Sequence, residues 1–398
     1  MILGTLYKKE RLGEVFQFIR NGANISQGNP GGIPITRIET IADGKLDLTR
    51  LGYAGIIELG RYEDYVLVDG DILMSHINSE THLGKVAFVE NLQETIIHGM
   101  NLLCLRAKSS VLYPKYAYYY FKSPFFRNQL FRITKKSVNQ ASFSVSDLKR
   151  LGFILPPLET QRRIADILDK AQKLIDKRKQ QIELLDEFLQ SAFIDIFLAN
   201  SHSEKIRLSD LCTINPAKSE IRNLDDSMLV SFIPMASVSE DGEIIDQETR
   251  VMREVKRGYT YFREGDVLFA KITPCMENGK SAVATGLINQ IGFGSTEFHV
   301  LRPNKNISGT WLHQLIRLGS FRIAAEKSMT GSAGQKRVPR DFFDRYMVSV
   351  PPVELQAFFD ELANKVKTQK ALMKKSITEL EHCFDSIMQK AFRGELFR

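Results

Sequence analysis

The stretch "LPPLETQ" at residues 155–161 returns as "VPPVELQ" at residues 350–356, 195 positions further along the 398-residue chain. The same offset relates "DGDILMS" at 69–75 to "EGDVLFA" at 264–270. It also relates Gly84-Lys85 to Gly279-Lys280, Tyr116 to Trp311 and Gln140 to Gln335. Because one offset connects so many separate points, the sequence predicts an internal duplication whose unit is a whole domain followed by a helix.

Each Pro-Pro pair precedes a long helical pattern. After Pro157, apolar residues recur with a period of about 3.6 as far as Leu198, without Gly or Pro, and a similar pattern follows Pro352. The first pattern predicts a helix from about Thr160 to about Leu198, roughly 58 Å long. Such helices bury their apolar stripes against a partner, so we expect an antiparallel pair with a globular domain at each end. Polar residues interrupt the stripes at 178–181 and 367–370, where we expect a polar layer that fixes the register.

The fold class follows from this arrangement. The sequence predicts an α+β protein: two small mixed α/β domains joined by two long helices that form an antiparallel coiled coil, with a pseudo-twofold internal duplication. The predicted boundaries are 1–155 for the first domain, 156–199 for its helix, 200–350 for the second domain and 351–398 for its helix. Strands are expected at "NLLCLRA" and "TEFHVLRP", and helices at "PKYAYYYFKSPFFRNQLF" and "GTWLHQLIRLGSFRIAAEK".

The bulk composition limits the class of protein. An apolar content of 43% over 398 residues is enough for two or more ordinary cores. There is no run of 18 apolar residues and no signal-peptide pattern, so we expect no membrane span and a cytoplasmic location. The four cysteines are widely separated, which favours neither a zinc site nor a disulfide framework.

The net charge of +7 is unevenly distributed. No acid occurs between Glu94 and Asp147, and only Glu326 interrupts the window from Glu297 to Asp341. The basic residues of the first window are Arg106, Lys108, Lys115, Lys122, Arg127, Arg132, Lys135 and Lys136. Those of the second are Arg302, Lys305, Arg317, Arg322, Lys327, Lys336, Arg337 and Arg340. Two such windows at equivalent places predict two surfaces that face a polyanion, the alternative being solvated basic faces without a partner.

Reading a DNA duplex requires cations for phosphates, and amide, hydroxyl or guanidinium groups for base edges. The loops expected before the Pro-Pro pairs supply both kinds, at Lys135, Lys136, Ser137, Asn139, Gln140 and Ser142, and at Thr330, Ser332, Gln335, Lys336 and Arg337. A glycine-rich loop adds Asn24, Ser26 and Gln27, with Lys218 and Ser219 as a loosely matching pair. Within this set, the cations suit phosphates and the two glutamines suit adenine. The alternative for any one of them is a plain surface residue. The aromatic run at 116–121 has helical spacing, which favours a core position over stacking on bases.

Motifs for chemistry are incomplete. "TPCMENGKS" at 273–281 resembles the end of a phosphate-binding loop, but Pro274 occupies the first glycine position. His76 and His82 have no acidic or histidine cluster nearby in sequence, and neither an adenine-methylation motif nor a Gly-x-Ser-x-Gly elbow is present. We therefore predict a chain that is not an enzyme and that holds no cofactor or metal of its own.

The ordered duplication resembles the specificity subunit of type I restriction-modification systems over essentially the whole chain. "GGIPITRIETI" at 31–41 looks like the family's Gly-x-Ile-Pro entry to a target-recognition domain, and "SFIPMASVSEDG" is a looser version without the glycine. "GSAGQKRVPRDFFDRYMVSVPPVELQ" resembles the family's domain ending. The first copy keeps Ser137 and Gln140 at this ending but lacks the glycines.

The resemblance implies that each target-recognition domain reads one half of a bipartite double-stranded DNA site, while the helices set the distance between the halves. It implies two methyltransferase subunits docked on the helices, joined by restriction and translocase subunits. S-adenosylmethionine and ATP are then expected on those partners. Two alternatives remain at this point: the recognition subunit of a type IIB-like restriction enzyme, and a coiled-coil scaffold without a DNA role.

Overall fold

The computed structural model describes residues 7–26, 31–138, 140–199, 204–332 and 334–397. The chain divides into two compact units. The first comprises Met1–Lys179 with Lys375–Arg398, and the second comprises Gln180–Lys374. Each unit therefore contains one globular region and a part of each long helix. None of the helices in the described ranges has a stretch long and apolar enough to cross a lipid bilayer.

A four-stranded antiparallel sheet lies at the centre of the first unit. The strands of this unit are β1 (Lys8–Arg11), β2 (Phe16–Asn21), β3 (Pro34–Ile35), β4 (Gly52–Tyr53), β5 (Ile72–Ser75), β6 (Ile77–Asn78), β7 (Val86–Phe88), β8 (Leu102–Ala107), β9 (Lys135–Ser137), β10 (Gln140–Ser142) and β11 (Gly152–Leu155). Its helices are α1 (Leu12–Val15), α2 (Pro114–Lys122), α3 (Pro124–Ile133), α4 (Val145–Arg150) and the first part of α5 (Leu158–Phe197), with 3-10 turns at Glu39–Ile41, Leu48–Arg50 and Gly60–Tyr65. The central sheet has the order β2-β8-β5-β7, and β1 pairs with β11, β3 with β4, and β10 with β6 and β9.

The aromatic run of the first unit lies in its core. Helix α2 ends before Ser123, whose hydroxyl accepts a hydrogen bond from the Phe126 amide and so begins α3 at Pro124. The side chains of Tyr116, Tyr119, Tyr120 and Phe121 are almost fully buried. The preference for a core position over base stacking is therefore confirmed.

The second unit repeats this plan and adds a second sheet. Its strands are β12 (Lys205–Arg207), β13 (Cys212–Ile214), β14 (Leu229–Ile233), β15 (Glu248–Val251), β16 (Thr260–Arg263), β17 (Val267–Ala270), β18 (Ser281–Val283), β19 (Ile291–Gly294), β20 (Phe298–Pro303) and β21 (Met347–Ser349). Its helices are α6 (Leu208–Leu211), α7 (Met252–Val255), α8 (Gly309–Arg317), α9 (Gly319–Ser328), α10 (Phe342–Arg345) and the first part of α11 (Val353–Arg393), with 3-10 turns at Lys218–Ile221, Met235–Ser237 and Ile288–Gln290. The sheets have the orders β13-β20-β17-β18 and β15-β14-β19-β16, and β12 pairs with β21.

The duplication predicted from the sequence is confirmed by the matching elements. The order β2-β8-β5-β7 of the first central sheet is repeated as β13-β20-β17-β18, and helices α2 and α3 are repeated as α8 and α9 at the same offset of 195 residues. A buried ion pair is repeated as well. Arg106 donates two hydrogen bonds of 2.7 Å to Asp71, and Arg302 donates two of 2.7 Å to Asp266. The two domains therefore share one core design.

The glutamine of each Pro-Pro motif has the same structural role in both units. The buried Gln161 amide accepts from the Tyr113 N–H at 2.8 Å and donates to the carbonyls of Val111 and Pro156 at 3.0 and 2.8 Å. Gln356 makes the same three bonds, with the Ser308 N–H at 2.7 Å and with the carbonyls of Asn306 and Pro351 at 3.0 and 2.9 Å. In each copy the motif thus joins the start of a long helix to the loop before α2 or α8.

The long helices lie antiparallel within each unit. In the first unit Lys179 of α5 bonds to Glu381 of α11 at 2.8 Å, and the Arg163 guanidinium of α5 lies 4.1 Å from the centre of the ring of Phe397, four residues after the end of α11. In the second unit Lys370 bonds to both carboxylate oxygens of Asp186 at 2.7 and 2.8 Å, and the rings of Phe193 and Phe359 are 5.3 Å apart. Residue numbers rise along α5 as they fall along α11 in both cases. The buried Lys370 lies in the polar interruption predicted at 367–370.

One turn of each domain makes a salt bridge to a long helix. In the first unit Lys45 bonds to Asp176 of α5 at 3.0 Å. In the second, Glu243 accepts from Lys374 of α11. In each pair the two residues are 131 positions apart, and the residue from the domain, Lys45 or Glu243, directly follows an Asp-Gly dipeptide. The polarity is reversed, because the domain supplies the cation in the first unit and the anion in the second.

Candidate nucleic-acid interface

The segment at 135–142, expected as a loop, is a β-hairpin. Strands β9 and β10 pair with each other, and β10 also pairs with β6 from the loop after the central strand β5. The expectation of a loop was wrong because the two strands have only three residues each, KKS and QAS, which is too short for an alternation of apolar and polar residues to be recognised. The hairpin holds Lys135, Lys136, Ser137, Gln140 and Ser142 on a defined backbone.

The hairpin presents its tip to solvent. Lys135, Ser137 and Gln140 are exposed, and the Ser137 hydroxyl donates to the Gln140 carbonyl at 3.2 Å. Val138 at the tip is 92% exposed, although it is apolar. Asn139 lies outside the described residues. Gln140 does not cap the following helix, because the Ser144 hydroxyl accepts from the Asp147 amide at that position.

Gln140 borders a cleft of about 440 Å³. The other residues that line it are Ile38, Ile77, Asn78, Ser79 and Asn101. The three polar members of this lining have amide or hydroxyl groups able to donate to and accept from a base edge. Sequence reasoning missed them. The available signal was the loop at 76–85, which has a counterpart 195 residues later at 271–280.

Lys136 is less available for a phosphate than expected. Its ammonium bonds to Glu80 at 2.7 Å and lies 5.3 Å from the centre of the Phe131 ring. No ion pair of Lys135 occurs among the described residues. The hairpin therefore offers one unpaired cation and one that is neutralised within the domain.

The corresponding segment of the second unit, at 330–337, is closed by a backbone bridge. The Thr330 amide donates to the Arg337 carbonyl at 3.0 Å, and the Arg337 amide donates to the Thr330 carbonyl at 2.8 Å. Ser332, Gln335 and Lys336 are exposed, and the Gln335 amide N–H donates to the Ser332 carbonyl at 3.0 Å. Helix α10 begins after Asp341, so Gln335 does not cap it.

Arg337, like Lys136, is less available for a phosphate than expected. Its guanidinium donates two hydrogen bonds of 2.9 Å to the carboxylate of Glu297. These bonds lower the pKa of Glu297, so the carboxylate remains charged and holds the guanidinium in place. Lys336 is then the exposed cation of this segment.

The segments at 135–142 and 330–337, called the recognition segments below for their proposed role, are anchored alike. The Phe143 amide donates to the His76 carbonyl at 3.2 Å, and the Val338 amide donates to the Lys271 carbonyl at 2.9 Å, each partner shifted by 195 residues. In the second unit the Val338 carbonyl also accepts from Nε2 of buried His299 at 2.8 Å. Burial lowers the pKa of His299 to about 4, so this ring is neutral near pH 7.

The remaining predicted residues are not joined to these segments by any described contact. Asn24 and Ser26 are exposed after β2, where the Ala23 amide donates to the His98 carbonyl at 2.8 Å, and Gln27 lies outside the described residues. Lys218 donates to the Lys256 carbonyl at 2.9 Å, next to exposed Ser219. The structure thus brings the hairpin and the loop at 76–80 together.

The acid-poor windows of the sequence are not acid-poor in space. Arg106 and Arg302 are paired with Asp71 and Asp266 in the domain cores, and Lys115 bonds to Asp169 at 3.0 Å. Acids from outside each window neutralise part of its charge, because folding brings distant segments together. The unpaired positive charge in each window is therefore smaller than the count of basic residues indicated. Within the described part of the chain, no group of three or more His, Cys, Asp or Glu side chains is placed to hold a metal ion.

Comparison with known families finds a match in the first half of the chain. Residues 6–184 match the family described as the type I restriction modification DNA specificity domain. The putative type I restriction enzyme MjaX specificity subunit of Methanocaldococcus jannaschii is 38% identical over 245 residues, which is 60% of this chain and 57% of that protein. The EcoEI specificity subunit of Escherichia coli is 45% identical over 157 residues, 39% of this chain and 26% of that protein. The chain thus spans little more than half, and about a quarter, of these relatives.

Other similarities extend over the whole chain. The StySPI specificity subunit of Salmonella potsdam is 23% identical over 426 aligned positions, which cover 100% of this chain and 87% of that protein. A chain solved in work on assembly of the type I R-M system superimposes with a TM-score of 0.57 at 18% identity, over 98% of both chains. The type I S subunit from M. genitalium superimposes with a TM-score of 0.52 at 14% identity, over 98% of this chain and 97% of that one. These structures share the fold.

Proposed function

This chain belongs to the HsdS-type specificity subunits of type I restriction-modification systems, and from that premise we propose that it reads a bipartite DNA target, one half with each domain. The observation that carries the proposal is the pair of recognition segments. Each is anchored by the same backbone hydrogen bond, and each presents an exposed glutamine, Gln140 or Gln335. A glutamine amide both donates and accepts, as paired contact with adenine N6 and N7 requires.

The hairpin of the first domain supplies two further kinds of contact. Lys135, which has no ion pair among the described residues, suits a phosphate. Val138 at the exposed tip suits the C5-methyl group of thymine, which apolar side chains contact in the major groove. The polar cleft beside Gln140 adds Asn78, Ser79 and Asn101. Asn24, Ser26 and Ser142 are secondary candidates for the first half-site, and Lys218, Ser219, Thr330 and Ser332 for the second.

The long helices are proposed as the docking surface for two methyltransferase subunits. Large apolar side chains remain exposed on them, namely Leu174, Leu184, Phe188, Phe358 and Leu372. Apolar groups in such positions mark a surface that a partner covers. In this proposal the chain itself performs no catalysis: S-adenosylmethionine is bound by the methyltransferase subunits, and ATP by restriction and translocase subunits.

The test is selection of bound duplexes from a randomised pool, using the chain in complex with its methyltransferase subunits. We expect two conserved blocks separated by a spacer of fixed length. A parallel titration with salt on a random duplex should show affinity falling steeply with salt concentration, because phosphate contacts release counterions. Binding without any sequence preference, or a single continuous block, would contradict the proposal.

A further inference from the structure

The first unit contains a second cleft, of about 660 Å³, between the turn at 43–45, the loop at 80–86, helices α2 and α3, and helix α5. Its floor includes the rings of Tyr118 and Phe121. Five cations line it: Lys45, Lys85, Lys122, Arg127 and Lys179. Three acids line it too: Asp43, Glu80 and Asp176. The volume is in the range of small-ligand sites, so the charges decide what the cleft could bind.

The three acids of the lining are already neutralised. Asp43 pairs with Arg50 at 2.8 Å, Glu80 with Lys136 at 2.7 Å, and Asp176 with Lys45 at 3.0 Å. Arg50 and Lys136 are not part of the lining. The acids therefore leave little negative potential in the cleft.

The cations are only partly neutralised. Lys45 is paired with Asp176, Lys179 bonds to Glu381 at 2.8 Å, and Lys85 donates to the Ala42 carbonyl. Lys122 and Arg127 form no ion pair among the described residues. The Lys122 ammonium lies 5.1 Å from the centre of the Tyr118 ring, and burial lowers its pKa. Two cations thus face the cleft without a carboxylate.

The second unit shows what occupies the same two positions there. Arg317 and Arg322 lie 195 residues after Lys122 and Arg127. Arg317 donates to the Glu240 carbonyl at 3.1 Å, and Arg322 donates to the Glu277 carbonyl at 3.2 Å. In the second domain each of the two cations therefore bonds to a carbonyl oxygen of the chain itself.

The Asp-Gly turn of the second unit packs closely against Arg317, whereas the matching turn of the first unit has no close neighbour at its glycine. A Cβ atom added to Gly242 would lie 2.3 Å from the Arg317 Nη1, so this turn lies directly on the arginine. A Cβ added to Gly44, in the matching Asp-Gly turn, would have the Val86 carbonyl at 3.9 Å as its nearest neighbour. Among the described residues of the first unit, Lys122 donates only a long hydrogen bond of 3.5 Å to the Tyr118 hydroxyl, and no carbonyl oxygen bonds to Lys122 or Arg127. These two cations are therefore open to an oxygen acceptor from outside the domain.

We propose that this cleft binds a phosphate group, held by Lys122 and Arg127 in the place that the chain's own carbonyl oxygens take in the second unit. The phosphate comes either from a free nucleotide or from the backbone of the bound duplex. The second source rests on the proposed function, whereas the first is independent of it.

The experiment uses the full chain with Arg127→Gln, with the double variant Lys122→Gln/Arg127→Gln, and with Arg132→Gln as the matched control. Arg132 lies on the same helix, is exposed and does not line the cleft. Calorimetry with inorganic phosphate, adenosine 5′-monophosphate and adenosine measures small-ligand binding. Titration of a random duplex at several salt concentrations measures backbone contacts, and a melting curve checks folding. The exposed position of Arg127 keeps the single variant informative if the double variant does not fold.

Two results support the proposal and identify the source. Binding of phosphate and the monophosphate, but not adenosine, that is lost in Arg127→Gln and kept in Arg132→Gln indicates a free ligand. Without such binding, a salt slope lowered by about 1 in Arg127→Gln relative to Arg132→Gln indicates the duplex backbone. The proposal is overturned if Arg127→Gln behaves like Arg132→Gln in both measurements. If no variant binds duplex, the proposed function has failed and the calorimetry alone decides this inference.

Discussion

Gln161 is a buried amide whose three hydrogen bonds all go to backbone groups of the same domain. Gln161→Leu keeps the approximate volume but leaves the Tyr113 N–H and the carbonyls of Val111 and Pro156 without this partner. An unsatisfied buried group costs about 1–3 kcal/mol, so we expect the free energy of unfolding to fall by at least about 2 kcal/mol. Urea unfolding of the full chain measures this. Gln180→Leu, at an exposed position of the same helix, is the control, and equal effects of the two changes would refute the structural role.

Variants of Gln140 and Gln335 test the proposal that each domain reads one half of the target. We expect Gln140→Ala to relax or abolish the preference at one half-site and to leave the other half intact, with Gln335→Ala doing the reverse. A lost base contact costs roughly 1–3 kcal/mol in discrimination. Selection of bound sequences from a randomised pool measures the preference at every position.

Two controls accompany the glutamine variants. Lys135→Ala should weaken binding to all sequences and lower the salt slope by about 1, because it removes a phosphate contact rather than a base contact. Melting curves should be unchanged for both glutamine variants, since neither side chain caps a helix. If both variants retain the wild-type preference at every position, the base-reading residues lie elsewhere, and Asn78 and Asn101 are the next to change.

The sequence located some of these residues and could not locate others. Gln140 and Gln335 were found because the duplication placed them at one offset before a recognisable motif. Asn78, Ser79 and Asn101 were missed because their association with Gln140 depends on pairing between β6 and β10, which are about sixty residues apart. The ion pair of Arg337 was not predicted because its partner Glu297 is forty residues away. Long-range pairing of this kind leaves no local pattern.

Among the elements, the long helices were predictable and the recognition hairpin was not. A 40-residue helix carries a repeating apolar stripe, and α5 begins within two residues of the expected position. The hairpin strands have three residues each and are mostly polar. Their conformation is imposed by pairing with β6, so only the structure reveals it.

The pair of Lys370 and Asp186 joins α11 to α5 in the second unit. Lys370 has a side chain only 8% exposed, whereas Asp186 is 41% exposed. We expect Asp186→Ala to destabilise the chain by about 1–2 kcal/mol, less than for a fully buried pair because water reaches the carboxylate side. The double change Asp186→Leu/Lys370→Leu should recover most of that loss, since it removes the unpaired buried ammonium. Thermal or urea unfolding measures both, and a double variant less stable than Asp186→Ala would disprove the argument.

We expect the whole molecule to act as a ruler, in which the length of helix α5 sets the length of the unread spacer between the two half-sites. Helix α5 is continuous over Leu158–Phe197 and has no internal glycine or proline. Four residues inserted after Gln181 add roughly one turn, or about 6 Å, which corresponds to about two base pairs of duplex. We expect the unread spacer to lengthen while both half-sites stay the same.

Mapping of methylated sites in cells that carry the insertion measures the spacer. Four residues inserted after Asp246, an exposed position in the second domain, serve as the control and should leave the spacer unchanged. An unaltered spacer with a folded, active helix insertion rules out the ruler.

The reversed salt bridges have an evolutionary consequence. Each domain is encoded by one continuous stretch of the gene, which we call a cassette, and the two domains share one core plan. Lys45, however, suits Asp176, and Glu243 suits Lys374. A gene recombination that moved the first cassette into the second position would set Lys45 against Lys374, exchanging an attraction for a repulsion. Each exposed pair is worth about 1 kcal/mol or less, so such a hybrid would fold with a small handicap rather than fail. Lineages that shuffle these cassettes should therefore inherit the helix residue together with its domain, or change its charge soon after the exchange.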